Sequence, residues 1–106
     1  MGATSFFKNP IISTEQFNEI QKLHPTIPFF TQETGKIKLY AGWLIEHCNY
    51  HEAESQHIAF YEKQKLVLIN KGGATFAELQ KVISNITKQV QEKFLATLEV
   101  EPNIFY

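Results

Sequence analysis

The sequence predicts an α+β fold: a mostly antiparallel sheet with three helices packed on it, in a single domain. Three observations predict it. Two helix-opening signatures, Ser13 with Gln16 and Thr75 with Glu78, each lead into apolar residues at helical spacing. Several β-rich runs, "KLVLIN" foremost, are too short for a buried helix. Helical and extended segments alternate irregularly along the chain, which suits an antiparallel sheet better than a regular βαβ array.

The elements follow in order. "STEQFNEIQKLH" opens on the Ser13–Gln16 box, places Phe17, Ile20 and Leu23 on one face, and is stopped by Pro25 and Pro28. "PFFTQETGKIKLY" reads as two extended segments about a turn near Thr34 and Gly35. "AGWLIEHC" spaces Ala41, Leu44, Ile45 and Cys48 as a short amphipathic helix. "HIAFYEKQKLVLIN" reads as two strands with a tight connection. After the break at "KGGA", the Thr75–Glu78 box opens the longest helix, with Phe76, Leu79, Val82, Ile83, Ile86, Val90 and Phe94 as its stripe. "TLEVEPNIFY" closes the chain as a strand in which Leu98, Val100 and later Ile104 alternate with polar residues.

Composition bounds the function. The chain has 106 residues, 43% hydrophobic and 20% charged, enough for one core. A net charge of -1 supplies no general field for nucleic acid or an anionic membrane, so any bound anion must be held by a few local lysines. One cysteine, Cys48, forbids an internal disulfide and a cysteine-rich zinc site. No apolar run is long enough to span a bilayer, and "MGATSFF" lacks the features of a secretory signal. The expected location is the cytoplasm.

Four small constellations invite chemistry. His47 and His51 stand four apart, as two ligands on one helix turn would, but the helix is expected to end near Cys48 and they read as surface histidines. "NKGGATF" places two glycines before a helix start, yet it lacks the phosphate-loop spacing and reads as a strand-to-helix turn. Glu99 and Glu101, two apart on a strand, share one side. In "SFFKNP", Phe6 and Phe7 read as core and Asn9-Pro10 as a turn, and nothing beside Ser5 would make it a nucleophile.

Taken together, "GATSFFKNPIIS", "KLYAGWLIEHC", "KQKLVLINKGGAT" and "FLATLEVEPNI" are more specific than any one segment. In this order and spacing the chain resembles the C-terminal domain of the UDP-N-acetylenolpyruvoylglucosamine reductase family. The resemblance covers essentially the whole chain, with "SFFKNP" and "AGWLIE" its most specific parts. It implies a substrate-binding domain over residues 1–106, with two FAD-binding domains belonging to the N-terminal part of the same polypeptide and absent from this chain. In such enzymes NADPH reduces the flavin, hydride passes to C3 of the enolpyruvyl group of UDP-N-acetylglucosamine enolpyruvate, and a proton is added at C2. The product is UDP-N-acetylmuramate, a peptidoglycan precursor.

The resemblance also implies roles. Ser5 is the proton donor. A hydroxyl this weakly acidic can serve because the acceptor is a strongly basic enol-type intermediate and nearby donors stabilise the alkoxide. Glu101 is the catalytic glutamate that polarises or orients the enolpyruvyl carboxylate system, which requires it to be protonated, paired with a cation, or in contact with another group. Asn9, Lys38 and Gln64 contact substrate, with the Lys38 ammonium suited to the diphosphate, while Lys8 ranks lower. Phe30 stands where a nucleotide-contacting tyrosine is expected and keeps the ring without the hydroxyl. "LEVEP" replaces the usual "LEPEV", and "SQHIAF" replaces a glycine-rich "IGGA" turn. The isolated chain is expected to bind no FAD, to be inactive, and to hold its "SFFKNP" motif loosely, with Phe6 and Phe7 anchoring it and Ser5 facing water. Two other readings are a free-standing nucleotide-sugar-binding module without catalysis and an interaction domain that self-associates through an exposed apolar face.

Overall fold

The computed structural model of the chain describes residues 3–5 and 7–100, and for residues 3–5, 64 and 66 the backbone alone. Helix α1 spans Thr14–Leu23, opened by Ser13, whose hydroxyl accepts the Gln16 N–H at 3.1 Å. Gln16 does not complete the reciprocal half of the box. Its amide donates to the Leu95 carbonyl at 3.0 Å and so ties the helix to a distant segment. Phe17 and Ile20 are buried, whereas Leu23, the last residue of the helix, is 63% exposed. Helix α2 is Ala41–Glu46, burying Ala41, Leu44 and Ile45, and the single turn α3 is Tyr50–Ala53. Helix α4, Phe76–Phe94, opens on Thr75, whose hydroxyl accepts the Glu78 N–H at 3.1 Å. Val82, Ile86, Val90 and Phe94 form its buried ridge, with Leu79 and Ile83 partly buried beside it. Phe76, on the first turn, is 58% exposed. There are thus four helices among the described residues where three were predicted; a four-residue turn carries no apolar period to read.

Among the described residues all strand pairing is antiparallel, in keeping with the mostly antiparallel sheet predicted, but it is divided among three small sheets. β1 (Ala3–Ser5) pairs with β7 (Gln64–Asn70), which also pairs with β6 (Ile58–Tyr61). β2 (Phe7–Lys8) pairs with β8 (Glu99–Val100). β3 (Ile11–Ile12) and β4 (Phe29–Thr31) flank β5 (Ile37–Leu39). The predicted turn before β5 is present, with Gly35 at φ +87°, a conformation that favours glycine. The β6–β7 connection is a tight turn at Glu62 and Lys63.

The N-terminal segment therefore passes through all three sheets in succession. Phe7 is 3% exposed and sits in the same core cluster as Leu39, Leu44, Leu68, Ile86 and Leu98. Burying such a ring contributes roughly 1.5–3 kcal/mol. Pro10 accepts the Leu39 N–H at 2.9 Å. Phe7 is thus the anchor expected of it, and from Lys8 to Pro10 the motif is built into the fold rather than loosely held; Phe6 and the Ser5 side chain lie outside the description.

Candidate functional site

Asn9 follows β2 and is half-buried. Its Oδ1 accepts the Ala41 N–H at 2.9 Å, so a residue far away in sequence satisfies the first amide of α2, whose own flanking residue Tyr40 offers no side-chain cap. Only oxygen can accept from a backbone N–H, so the Nδ2 amide hydrogens are turned elsewhere. Asn9 lines a cavity of about 320 Å³. Tyr40, Gly42, Trp43 and Glu46 form its α2 side, and Glu62, Lys63 and Lys65 its β6–β7 side. Lys65 is 7% exposed; its ammonium donates to the Glu62 carbonyl and lies 5.1 Å from the Tyr50 ring centroid.

Lys38 is central in β5, and the register sets it opposite Ile11 on one side and Phe30 on the other. Its neighbours Ile37 and Leu39 are buried, so alternation turns Lys38 to the outer face. Nζ lies 5.3 Å from the Phe30 ring centroid and 5.5 Å from that of Tyr40. The ammonium is thus held between two aromatic rings, with no carboxylate paired to it among the described residues. Lys8 differs: its ammonium is 3.6 Å from Glu99, an exposed ion pair across β2 and β8.

The remaining predicted site residues fall less completely within the description. The Ser5 backbone lies opposite Val67, and Gln64 opens β7 opposite Tyr61 on the hairpin that supplies Lys63 and Lys65 to the Asn9 cavity. Glu101 lies outside the described residues, but Val100 just before it pairs with Phe7, two residues after Ser5. The structure therefore brings Phe30 and Lys38 into contact and sets Asn9 at a cavity that Tyr40 shares. It places the Ser5 and Gln64 backbones on one strand pair. Tyr40 was missed in the sequence, although its position two residues after Lys38 on an extended run was the available signal.

Other constellations resolve structurally. His47 caps α2, its Nδ1–H donating to the Trp43 carbonyl at 2.9 Å, while His51 sits in α3 and pairs with Glu54 at 2.9 Å. Among the described residues no group of three or more His, Cys, Asp or Glu side chains stands together to hold a metal. Glu78 does not close its capping box. Its carboxylate accepts from the Ser55 hydroxyl, from the His57 ring at 3.0 Å and from the His57 N–H at 2.9 Å. These donors, the hydroxyl first, lower its pKa to about 2. The serine bonds to the glutamate rather than to the histidine, so this is an anchor and not a nucleophile with its base. Burial pushes the Cys48 thiol pKa up, which disfavours its thiolate.

The glycine turn before α4 resembles a phosphate loop only in its two glycines. Gly72 and Gly73 both adopt positive φ, but the N–H groups of Gly72 and Ala74 point at the Asn70 side chain, at 2.8 and 3.4 Å. Two of the turn's donors are thus spent on its own asparagine, which fits a strand-to-helix turn better than a phosphate loop. No helix among the described residues is long and apolar enough to cross a membrane.

The family model for the C-terminal domain of UDP-N-acetylenolpyruvoylglucosamine reductase matches residues 2–105. The chain belongs to this family. A UDP-N-acetylenolpyruvoylglucosamine reductase of Porphyromonas gingivalis is 44% identical over 99 residues, 93% of this chain and 29% of that protein. Those of Dechloromonas aromatica and Shewanella baltica are 40% and 41% identical over 100 and 102 residues, covering 94% and 96% of this chain and 30% of each relative. This reductase C-terminal domain thus spans less than a third of the length of the curated relatives it matches.

Proposed function

We propose that this chain, residues 1–106, is the substrate-binding and proton-donating domain of a cytoplasmic reductase that converts UDP-N-acetylglucosamine enolpyruvate to UDP-N-acetylmuramate for peptidoglycan precursor synthesis. The observation that carries the reading is the family match across 2–105. Its support in the fold is the meeting of Lys38 with Phe30 and the continuity of that face through Tyr40 to Asn9. FAD and NADPH belong to the remainder of the polypeptide, which supplies the hydride. No step of that transfer is assigned to residues of this chain, which by itself is inactive.

Each residue then has one task. Lys38 neutralises the substrate diphosphate, where an ammonium between two rings is held in place yet open to an anion. Phe30 covers the nucleotide by ring packing. Asn9, its oxygen committed to Ala41, presents amide hydrogens to substrate oxygens. Gln64 contacts substrate from the β6–β7 hairpin. Ser5 gives its hydroxyl proton to C2, and Glu101 orients the enolpyruvyl carboxylate system.

The test uses the intact protein. Ser5→Ala is expected to leave flavin reduction by NADPH largely unchanged while turnover of the enolpyruvyl substrate is lost. Normal rates in both half-reactions would remove Ser5 from the mechanism. Flavin absorbance copurifying with the isolated chain would count against the division of labour.

A further inference from the structure

Tyr40 carries no role above, yet two features of the Lys38 face involve it. The first is that the ammonium is flanked on both sides. Phe30 approaches from the neighbouring strand and Tyr40 from the same strand direction, at nearly equal distances of 5.3 and 5.5 Å. The second is that Tyr40 also lines the Asn9 cavity, which Lys38 and Phe30 do not. Among the described residues, Tyr40 is thus the ring beside the lysine that also lines the cavity.

Its chemistry suits that position. The ring is half-buried and held beside Lys38, which limits the freedom its hydroxyl would lose on binding. The hydroxyl has no hydrogen-bond partner among the described residues. A phenol O–H beside an ammonium is a natural pair of donors for one phosphate oxygen, the lysine giving charge and the phenol direction. A ligand whose anion is held by Lys38 and whose other oxygens meet Asn9 must pass over Tyr40.

We infer that Tyr40 is a ligand-contacting residue: its hydroxyl donates to the diphosphate that Lys38 neutralises, joining Lys38 and the Asn9 cavity into one binding face for a nucleoside diphosphate. This rests on the reading of that face as the substrate face, and the experiment separates the two.

UDP and uridine are titrated into the chain and followed by NMR shifts, for the parent, Tyr40→Phe and Lys38→Met. Tyr40→Phe keeps the ring against the lysine and removes only the oxygen, and superimposable spectra of the free proteins check that the fold is kept. The expected result is UDP binding weakened about tenfold by Tyr40→Phe, the effect of one hydrogen bond to a charged group. Lys38→Met weakens it at least as much, and neither changes the response to uridine. Parent-like UDP affinity in Tyr40→Phe, with loss in Lys38→Met, overturns the assignment of Tyr40 and leaves the face standing. An equal loss for uridine and UDP in Tyr40→Phe overturns the phosphate contact. Parent affinity in both variants, or no shifts at millimolar UDP in the parent, overturns the face and Tyr40 with it.

Discussion

The two ends of the Asn9 amide are separable, and that gives the sharpest test of the site. Its oxygen satisfies the Ala41 N–H at 2.9 Å in a half-buried setting, and its nitrogen is the group assigned to substrate. Asn9→Ala removes both. The first amide of α2 loses a cap worth about 1–1.5 kcal/mol, within the range for side-chain caps and buried hydrogen bonds. For a domain of this size that is a fall in Tm of about 4–7 °C. Asn9→Asp keeps an oxygen where Ala41 needs one but replaces the donor with negative charge facing an anionic ligand. It should melt within about 2 °C of the parent while its UDP titration collapses. Thermal unfolding by circular dichroism and the titration, on the same samples, give both readouts. An Asn9→Asp protein that melts as low as Asn9→Ala, or that binds UDP like the parent, would refute the division of the amide into a structural and a binding end.

Two further outcomes follow from the helix ends. Glu78 has its folded pKa lowered to about 2, so its contribution is fully present above the ordinary carboxylate pKa of about 4.5 and is lost as pH falls from there through 2. The parent's urea midpoint should drop across that window, and in Glu78→Gln the drop should be shallower; parallel curves would show that Ser55 and His57 do not depend on the charge. Leu95 closes α4 at φ +58°, the left-handed region, while 41% exposed. Leu95→Gly should raise Tm by about 2–5 °C through relief of that backbone cost, and a fall would mean its side-chain contacts outweigh the strain.

Local signals were legible and long-range ones were not. Ser13 and Thr75 announced both helix starts because a cap and its amide are three residues apart. The destinations of Gln16 and Glu78, Leu95 and the Ser55–His57 turn, were invisible because nothing near them in sequence encodes the partner. The stripe of α4 was readable over its middle and failed at Phe76, which is 58% exposed on the first turn. The N-terminal strands are two or three residues long, below any periodicity, and "SFFKNP" was therefore read as a motif and a turn. The candidate site residues came from resemblance, since a lone lysine or asparagine has no pattern; what the fold added is Tyr40, whose i+2 spacing from Lys38 gained meaning once β5 showed which side chains share its outer face.

The passage of the N-terminal segment through three sheets also governs how the domain assembles. Its partners are Val67 to Ile69, then Val100 and Glu99, then Lys38 and Ile37, so two of the three pairings close loops spanning much of the chain. Such closures are entropically late, and the local hairpins β4–β5 and β6–β7 can form before them. On a ribosome the Phe7–Val100 pairing must await synthesis of Val100. The segment that bears Ser5 and Asn9 is thus the seam along which the finished domain is sewn shut. A partly folded chain would have Lys38 against Phe30 in the β4–β5 hairpin but not the Asn9 segment in place, so the proposed binding, which needs both, would report completed folding.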